Sequence, residues 1–125
     1  MTTPTPLLST LESYLKLITS REQAISANMA NVDTPGYHTR DINFQGELNR
    51  AMTSVVSQSE GGTEPLHLTF AAREVPGLME RPDGNNVSLD REGLLMSETQ
   101  LQYQIGVQLV KHQFHQILSA ISGGN

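Results

Sequence analysis

Two stretches of the chain, one towards each end, repeat apolar residues at alternating spacings of three and four. This periodicity is typical of amphipathic helices that pack as coiled coils. It predicts one helix over residues 7–32 and a second over residues 88–122. The first helix has eight seam positions, and the one that is not apolar is Glu22. The apolar seam residues are Leu8, Leu11, Leu15, Ile18, Ile25, Met29 and Val32 in the first helix, and Tyr103, Val107, Val110, Phe114, Ile117 and Ile121 in the second. We expect these seams to form the assembly interface, with the two helices pairing as a coiled-coil-like antiparallel hairpin or within a larger bundle.

The segment between the helices, residues 33–87, shows neither helical pattern. Short apolar pieces such as INF, LHLTF and EVPGLM alternate with the turn-forming stretches SQSEGGTEP and RPDGNN. We predict a turn followed by an irregular middle with short β or extended segments, and a short helix near residues 47–56. Residues 1–6, with two Pro and three Thr, are predicted to form a flexible arm. The expected fold is mainly α and forms one structural domain.

The composition narrows the classes of partner. A formal charge of −5 argues against a nucleic-acid-binding protein, which would carry a basic stripe. No apolar run approaches the roughly 20 residues that span a bilayer, so no direct membrane span is expected. The first residues lack a basic n-region and a long apolar h-region, so no cleavable secretory signal is expected. The chain has no Cys, which excludes disulfides and thiol chemistry.

The polar face of the second helix is almost uncharged. Lys111 is the only formally charged side chain from Thr99 to the C-terminus, and Gln fills positions 100, 102, 104, 108, 113 and 116. Solvated helix faces usually carry Glu and Lys, whereas Gln has no charge to desolvate and tolerates burial better. We interpret this face as buried against other chains. An ordinary solvated face that is rich in Gln is the alternative.

Residues that could carry chemistry are few. His112 and His115 share a helix face, but no carboxylate lies within two turns of His112 to help them hold a zinc ion. There is no G-x-S-x-G elbow, G-x-G-x-x-G motif or P-loop. The carboxylate pair Asp90 and Glu92 lies at a helix start, where capping and solubility explain it. The sequence therefore indicates no catalytic residue, no metal site and no cofactor.

The stretch from Ala27 to Asp41 predicts a fixed joint. Asn side chains near a helix end are good partners for free backbone groups, and Pro followed by Gly fits the two central positions of a type II turn. The residues that we assign to this signature joint are Asn28, Asn31, Thr34, Pro35, Gly36 and Tyr37. The joint would end the first helix and start an extended segment in another direction.

The same stretch resembles the N-terminal signature of the flagellar axial proteins, which include the rod, hook and hook-associated proteins. The matching residues are Ser26, Ala27, Asn28, Ala30, Asn31, Thr34, Gly36 and Tyr37. The segments RDINF (Arg40–Phe44), DGNNVSLDRE (Asp83–Glu92) and QLQYQ (Gln100–Gln104) resemble proximal rod members of the flagellar basal-body rod protein family.

This resemblance implies a non-enzymatic structural subunit of the bacterial flagellar basal body. Such a subunit would polymerise in the proximal rod through its terminal helices and would serve motility. Its expected partners are copies of itself, other rod proteins, the basal-body adaptor protein FliE, the export gate and the membrane ring. Its expected location is the periplasmic rod, which it would reach through the flagellar type III secretion apparatus.

Two other classes of function stay open at this point. One is a soluble helical adaptor or chaperone that binds a single secretion-system partner, and self-association would separate it from a rod subunit. The other is a small hydrolase, for which the sequence offers no candidate nucleophile.

Overall fold

The computed structural model describes residues 5–61 and 70–123, which form three helices and a two-stranded sheet. The first helix, α1, covers Pro6–Ala30. The Thr5 hydroxyl caps it by accepting a hydrogen bond from the Leu8 backbone N–H at 3.2 Å, and Pro6 needs no acceptor in the first turn because it has no N–H. The predicted flexible arm lies outside the described residues over positions 1–4, and Thr5 and Pro6 belong to the start of α1.

The second helix, α2, covers Phe44–Ser59 and is longer than the sequence predicted. Its N-cap is Asn43, whose side chain accepts from the Gly46 N–H at 3.3 Å. This cap starts the helix three residues before the predicted start at Glu47. Ala51 and Val55 are the buried residues of the helix.

The middle segment also contains the sheet. Strand β1 (Arg40–Asp41) pairs antiparallel with β2 (Arg73–Glu74). The Val75 N–H extends the pairing by donating to the Thr39 carbonyl at 3.0 Å. Most of the predicted LHLTF segment lies outside the described residues.

The third helix, α3, covers Leu89–Ser122 and is the longest element, at 34 residues. Ser88 caps it, as the sequence predicted, by accepting from the Arg91 N–H at 3.3 Å. Asp90 lies in the first turn, where the positive end of the helix dipole favours a carboxylate. Together, these elements confirm the predicted mainly α fold with long terminal helices and short β segments between them.

The helices are arranged around α1, which packs against both α2 and α3. Within the described residues, α2 and α3 do not pack on each other. The α1–α3 pair is antiparallel, because Tyr14 contacts Gln102 while Asn28 contacts Glu92. Because it has neighbours on two sides, α1 supplies most of the buried apolar side chains: Leu11, Leu17, Ile18, Ala24 and Ile25.

The buried residues of α3 are small or polar rather than large and apolar. They are Glu92, Thr99 and Gly106, which recur every seven residues and therefore line one side of the helix. Gly106 marks a close approach of the two helices. A Cβ atom at this position would lie 2.8 Å from Leu15 Cδ2 and 3.0 Å from Tyr14 Cε1.

The two long helices differ in how far they continue beyond this close approach. From Gly106, α3 runs on to Ser122, about 24 Å, whereas α1 reaches back from Tyr14 only to Pro6, about 12 Å. The last residues of α3 therefore extend past the described part of α1. We call residues 114–122 the α3 overhang.

The close approach at Gly106 should make this glycine more sensitive to a side chain than a glycine in open space. Gly93 provides the matched control, because a Cβ there would meet no atom within 4 Å. Gly93→Ala should raise the free energy of unfolding by up to about 1 kcal/mol through helix propensity. Gly106→Ala should be less favourable than Gly93→Ala by about 1–3 kcal/mol because of crowding. Urea titrations of both variants measure this difference. An equal increase in the free energy of unfolding for both variants would contradict the close packing at Gly106.

Tyr14 gives the fold a dependence on alkaline pH. Its ring packs edge-on against Phe44, with centroids 5.9 Å apart, and its hydroxyl donates to the Gln102 carbonyl at 3.3 Å. Burial raises the pKa of Tyr14 because it disfavours the charged phenolate. The folded state therefore holds this proton more tightly, and its stabilisation is present below about pH 10 and is lost as the pH rises above that value. In Tyr14→Phe, the melting temperature should fall less as the pH rises above about 10 than it does in the unmodified protein. An equal fall in both proteins would mean that other groups cause it.

Candidate functional site

The predicted signature joint forms a type II turn between α1 and β1. The Tyr37 N–H donates to the Thr34 carbonyl at 3.2 Å, and Gly36, at the third position, has φ of +74°. This positive φ is the conformation that a type II turn requires at its third residue, so the predicted turn is confirmed. The Gly36 N–H donates to the Asp83 carbonyl at 2.9 Å, which attaches the turn to a distant segment.

Asn31 ends α1 and begins the turn. Its side-chain NH₂ and its backbone N–H both donate to the Ala27 carbonyl, at 2.8 and 3.1 Å, so this carbonyl near the helix end accepts two hydrogen bonds. Its side-chain oxygen accepts from the Thr34 hydroxyl at 3.0 Å. Asn31 therefore acts locally, as the sequence predicted for an Asn at a helix end.

Unlike Asn31, Asn28 forms side-chain hydrogen bonds with other elements, and it lies at the centre of the joint. Its NH₂ group donates to the Arg40 carbonyl at 2.7 Å and to Glu92 Oε2 at 3.1 Å. Its oxygen accepts from the Tyr37 hydroxyl at 3.1 Å and from the Arg40 N–H at 3.0 Å. Asn28 is buried, and these four hydrogen bonds use its full capacity as two donors and two acceptors. One side chain thus joins α1, the turn, β1 and α3.

The facing segment, residues 81–87, completes the joint with two further asparagines. The Asn85 NH₂ donates to the carbonyls of Asn31 and Thr34, both at 2.8 Å, and its oxygen accepts from the Val87 N–H at 2.8 Å. Asn85 is fully buried. The turn that follows α1 is therefore capped by a side chain more than 50 residues further along the chain.

Asn86 holds the strand that leaves the turn. Its side-chain oxygen accepts from the Thr39 N–H at 2.6 Å, and its backbone N–H donates to the Tyr37 carbonyl at 3.2 Å. Arg81 adds a hydrogen bond from its guanidinium to the Val32 carbonyl. We use the term joint below for the signature joint together with residues 81–87.

Charged side chains surround the joint. Arg21 binds Asp41 through two hydrogen bonds of 3.1 and 3.2 Å, and both side chains are nearly buried. Arg91 lies between two carboxylates, at 2.8 Å from Glu92 and 3.7 Å from Asp41. A buried carboxylate that lost its partners would be strongly destabilising. These pairs therefore hold α1, β1 and the start of α3 in one arrangement.

His38 attaches the segment after β2 to the joint. Its Nδ1 lies 3.4 Å from Glu74 Oε2 and its Nε2 lies 2.9 Å from Glu80 Oε1. Within the described ranges, no group of three or more His, Asp and Glu side chains is arranged to hold a metal ion. His67 lies outside those ranges.

The predicted assembly residues fall into three groups, which are buried, half-buried and exposed. Leu11, Ile18 and Ile25 are covered by the chain itself, so they pair the helices internally and cannot meet a neighbouring protein while the hairpin is closed. That the seam residues form the assembly interface stays a prediction. The half-buried members are Leu8, Leu15, Val32, Val107, Val110 and Ile117, and the exposed members are Met29, Tyr103, Phe114 and Ile121.

The α3 overhang carries three exposed large apolar side chains. Phe114, Leu118 and Ile121 expose 54%, 59% and 77% of their surface there. No side chain of residues 114–122 carries a formal charge. Large apolar side chains without charged neighbours are unusual on a solvated helix end and typical of a contact surface.

Known proteins resemble this chain over almost its whole length. The flagellar basal body rod proteins FlgB of Salmonella typhimurium and Escherichia coli are 33% and 32% identical to it, and each match covers 91% of both chains. FlgB of Buchnera aphidicola is 31% identical over 90% of this chain and 91% of its own. The chain belongs to the FlgB family. No family model matches the sequence.

Membership of the FlgB family confirms the resemblance that the signature joint and the DGNNVSLDRE segment indicated. Residues 83–87 of the second segment belong to the joint, where they contact the signature joint. Among residues 5–61 and 70–123, no helix combines the length and the apolar character that crossing a membrane requires.

Sequence reasoning missed two features of this FlgB family member. It assigned Glu92 to capping and solubility, whereas the structure buries this side chain against Asn28. It also missed a second exposed apolar stripe on the side of α3 that faces away from α1. We call this the outward stripe; its residues are Leu94, Leu101, Ile105 and Leu109. Their spacings of seven, four and four could have revealed it.

Loss of the Asn28 side chain should destabilise the joint strongly. Asn28→Ala leaves the Tyr37 hydroxyl, both backbone groups of Arg40 and one Glu92 oxygen without this partner. We expect the free energy of unfolding to fall by about 2–4 kcal/mol. The matched control is Asn49→Ala on the exposed face of α2, where the side-chain oxygen accepts a hydrogen bond from Gln45 at 3.3 Å. It should change stability by less than about 0.5 kcal/mol, and similar losses for both variants in chemical denaturation would contradict the central position of Asn28.

Proposed function

We propose that this protein is a structural subunit of the bacterial flagellar basal-body rod, and that it polymerises with neighbouring rod subunits through α1 and α3. Membership of the FlgB family supports the place in the rod. The observation that supports polymerisation through the helices is the uncharged α3 overhang, in which the apolar side chains of Phe114, Leu118 and Ile121 are exposed.

Two surfaces of α3 are suited to contacts with other subunits. The overhang continues the side of α3 that packs on α1, so a helix from a neighbour could take the place of α1 there. The outward stripe lies on the opposite side of the same helix. A subunit with contact surfaces on two sides of one helix can be surrounded by neighbours, as a helical assembly requires.

The joint supplies the fixed geometry in this proposal. Its contacts are directional hydrogen bonds from buried side chains, which tolerate little change in angle. The middle segment would then leave the helix pair at the same angle in every subunit. In a helical assembly, a constant angle matters because any error is repeated at each subunit.

The proposed partners are copies of this chain, other flagellar rod proteins, the adaptor protein FliE, the export gate and the membrane ring. Export by the flagellar type III apparatus to a periplasmic rod belongs to the same proposal. These finer assignments are supported by the resemblance of the terminal segments to rod proteins. The role is structural and uses no cofactor.

A soluble helical adaptor or chaperone is the second candidate. The observation that favours it is the closed internal core of α1, with Leu17, Ile18 and Ile25 fully buried within one chain. Such a core allows a folded monomer. An adaptor would bind one partner and would not enter the rod, so incorporation into the rod separates the two functions.

The exposed and buried members of the predicted interface should behave differently when a charge is introduced. Phe114→Asp should leave the helical content and melting temperature of the monomer unchanged, because the side chain is exposed. It should prevent incorporation into basal bodies, since burying a carboxylate in an apolar contact costs several kcal/mol and each 1.4 kcal/mol weakens binding about tenfold. Ile25→Asp should instead unfold the monomer.

Ser119→Asp is the matched control for Phe114→Asp. It adds the same charge to the same overhang on the opposite side of the helix, about 15 Å beyond Leu109, where the outward stripe ends. It therefore leaves both proposed contact surfaces intact, and it should assemble normally. The measurements are circular dichroism of each purified variant and swimming motility with the variant as the sole copy. Normal motility with Phe114→Asp would exclude the overhang as an assembly surface.

A further inference from the structure

The side of α3 that packs on α1 repeats closely from one heptad to the next. Glu92, Thr99 and Gly106 occupy equivalent positions seven residues apart, and all three are buried. Sliding α3 by seven residues would move it along α1 by about 10 Å and would present the same side of the helix. Apolar contact and heptad spacing alone are weak determinants of which position is adopted.

The buried polar side chains of this interface differ in what they contact. The hydroxyls of Ser13 and Thr99 donate to carbonyls four residues earlier in their own helices, at 2.9 and 2.6 Å. Such bonds are satisfied wherever the partner helix lies, so they carry no information about register. The hydrogen bond between Asn28 and Glu92, in contrast, joins α1 to α3.

We propose that the buried pair of Asn28 and Glu92 fixes the register of the α1–α3 hairpin. In the register shifted by one heptad, Thr99 would face Asn28, and the first two turns of α3 would have to unwind. Asn28 would lose its carboxylate acceptor, and Glu92 would lose its amide donor. A single buried polar contact that selects one register of an apolar helix pair is a well-attested use of such groups.

The register has a consequence for assembly that rests on the proposed function. It determines how much of α3 extends past α1, and therefore which apolar residues remain for a neighbour. A shift of seven residues would alter the overhang by about 10 Å. The register itself is a property of the isolated chain and can be measured without any assembly.

The test measures the distance between two spin labels in the monomer. The chain has no Cys, so Gln23→Cys and Gln116→Cys, both at exposed positions of the two helices, give specific labelling sites. These positions are well separated along the hairpin axis, so a heptad shift shortens their distance by about 10 Å. The unmodified pair should give one distance population by pulsed electron paramagnetic resonance.

Three variants in this labelled background separate register from stability. Glu92→Met, which keeps the side-chain length but removes the acceptor, should add a second population about 10 Å shorter. Glu92→Gln keeps an acceptor for Asn28 and should give the single native distance. Thr99→Val is the control, because it removes a buried hydroxyl that bonds only within α3, and it should also keep the native distance.

Two results would overturn the proposal. A single native distance in Glu92→Met would mean that the close approach at Gly106 and the bonds of Asn85 fix the register instead. Loss of helical content in Glu92→Met without a second distance would mean that the pair supports folding and does not choose between registers. Neither result bears on rod assembly, which the Phe114→Asp and Ser119→Asp comparison tests separately.

Discussion

The four hydrogen bonds of the Asn28 side chain are the interaction on which the rest of the structure depends. They join the end of α1, the type II turn, strand β1 and the start of α3 within one amide group. Because the amide is buried, each partner would be left unsatisfied if one element moved away. At one end of the hairpin, hydrogen bonds between polar groups therefore hold the elements together. Along the rest of α1, apolar packing holds them together.

The use of hydrogen bonds at one end of the hairpin and apolar packing along α1 explains the unusual composition of α3. A helix that only needed to cover α1 would turn large apolar residues towards it. Here the buried side of α3 carries Glu92, Thr99 and Gly106, while Leu94, Leu101 and Ile105 face outwards. Gly106 lets the two helices approach closely, and the large apolar side chains are left on the surface. The helix thus combines a narrow internal contact with a broad apolar exterior suited to other proteins.

The sequence predicted the elements formed by local rules. Heptad spacing indicated both long helices, Ser88 marked the start of α3, and Pro35–Gly36 indicated the type II turn. The early start of α2 was missed because Asn43 lies within INF, an apolar piece that suggested a strand. The burial of Glu92 could not be deduced, because a carboxylate in the first turn of a helix is equally well explained by the helix dipole. Its contact with Asn28 joins two residues that are 64 positions apart and depends on the alignment of two helices, which no local pattern encodes.

The connection of Asn85 to the end of α1 has a consequence for the order of folding. Its contacts with Asn31 and Thr34 span 54 and 51 residues of chain, and such long-range contacts form only after the entropy of closing the intervening loop has been overcome. The turns of α1 are stabilised locally and can appear early, whereas the turn that ends α1 lacks its cap until the chain has been made as far as Asn85. Any N-terminal portion of this protein that emerges first, from a ribosome or through a narrow passage, therefore carries an unfinished helix end, which is completed only when the second half of the chain arrives.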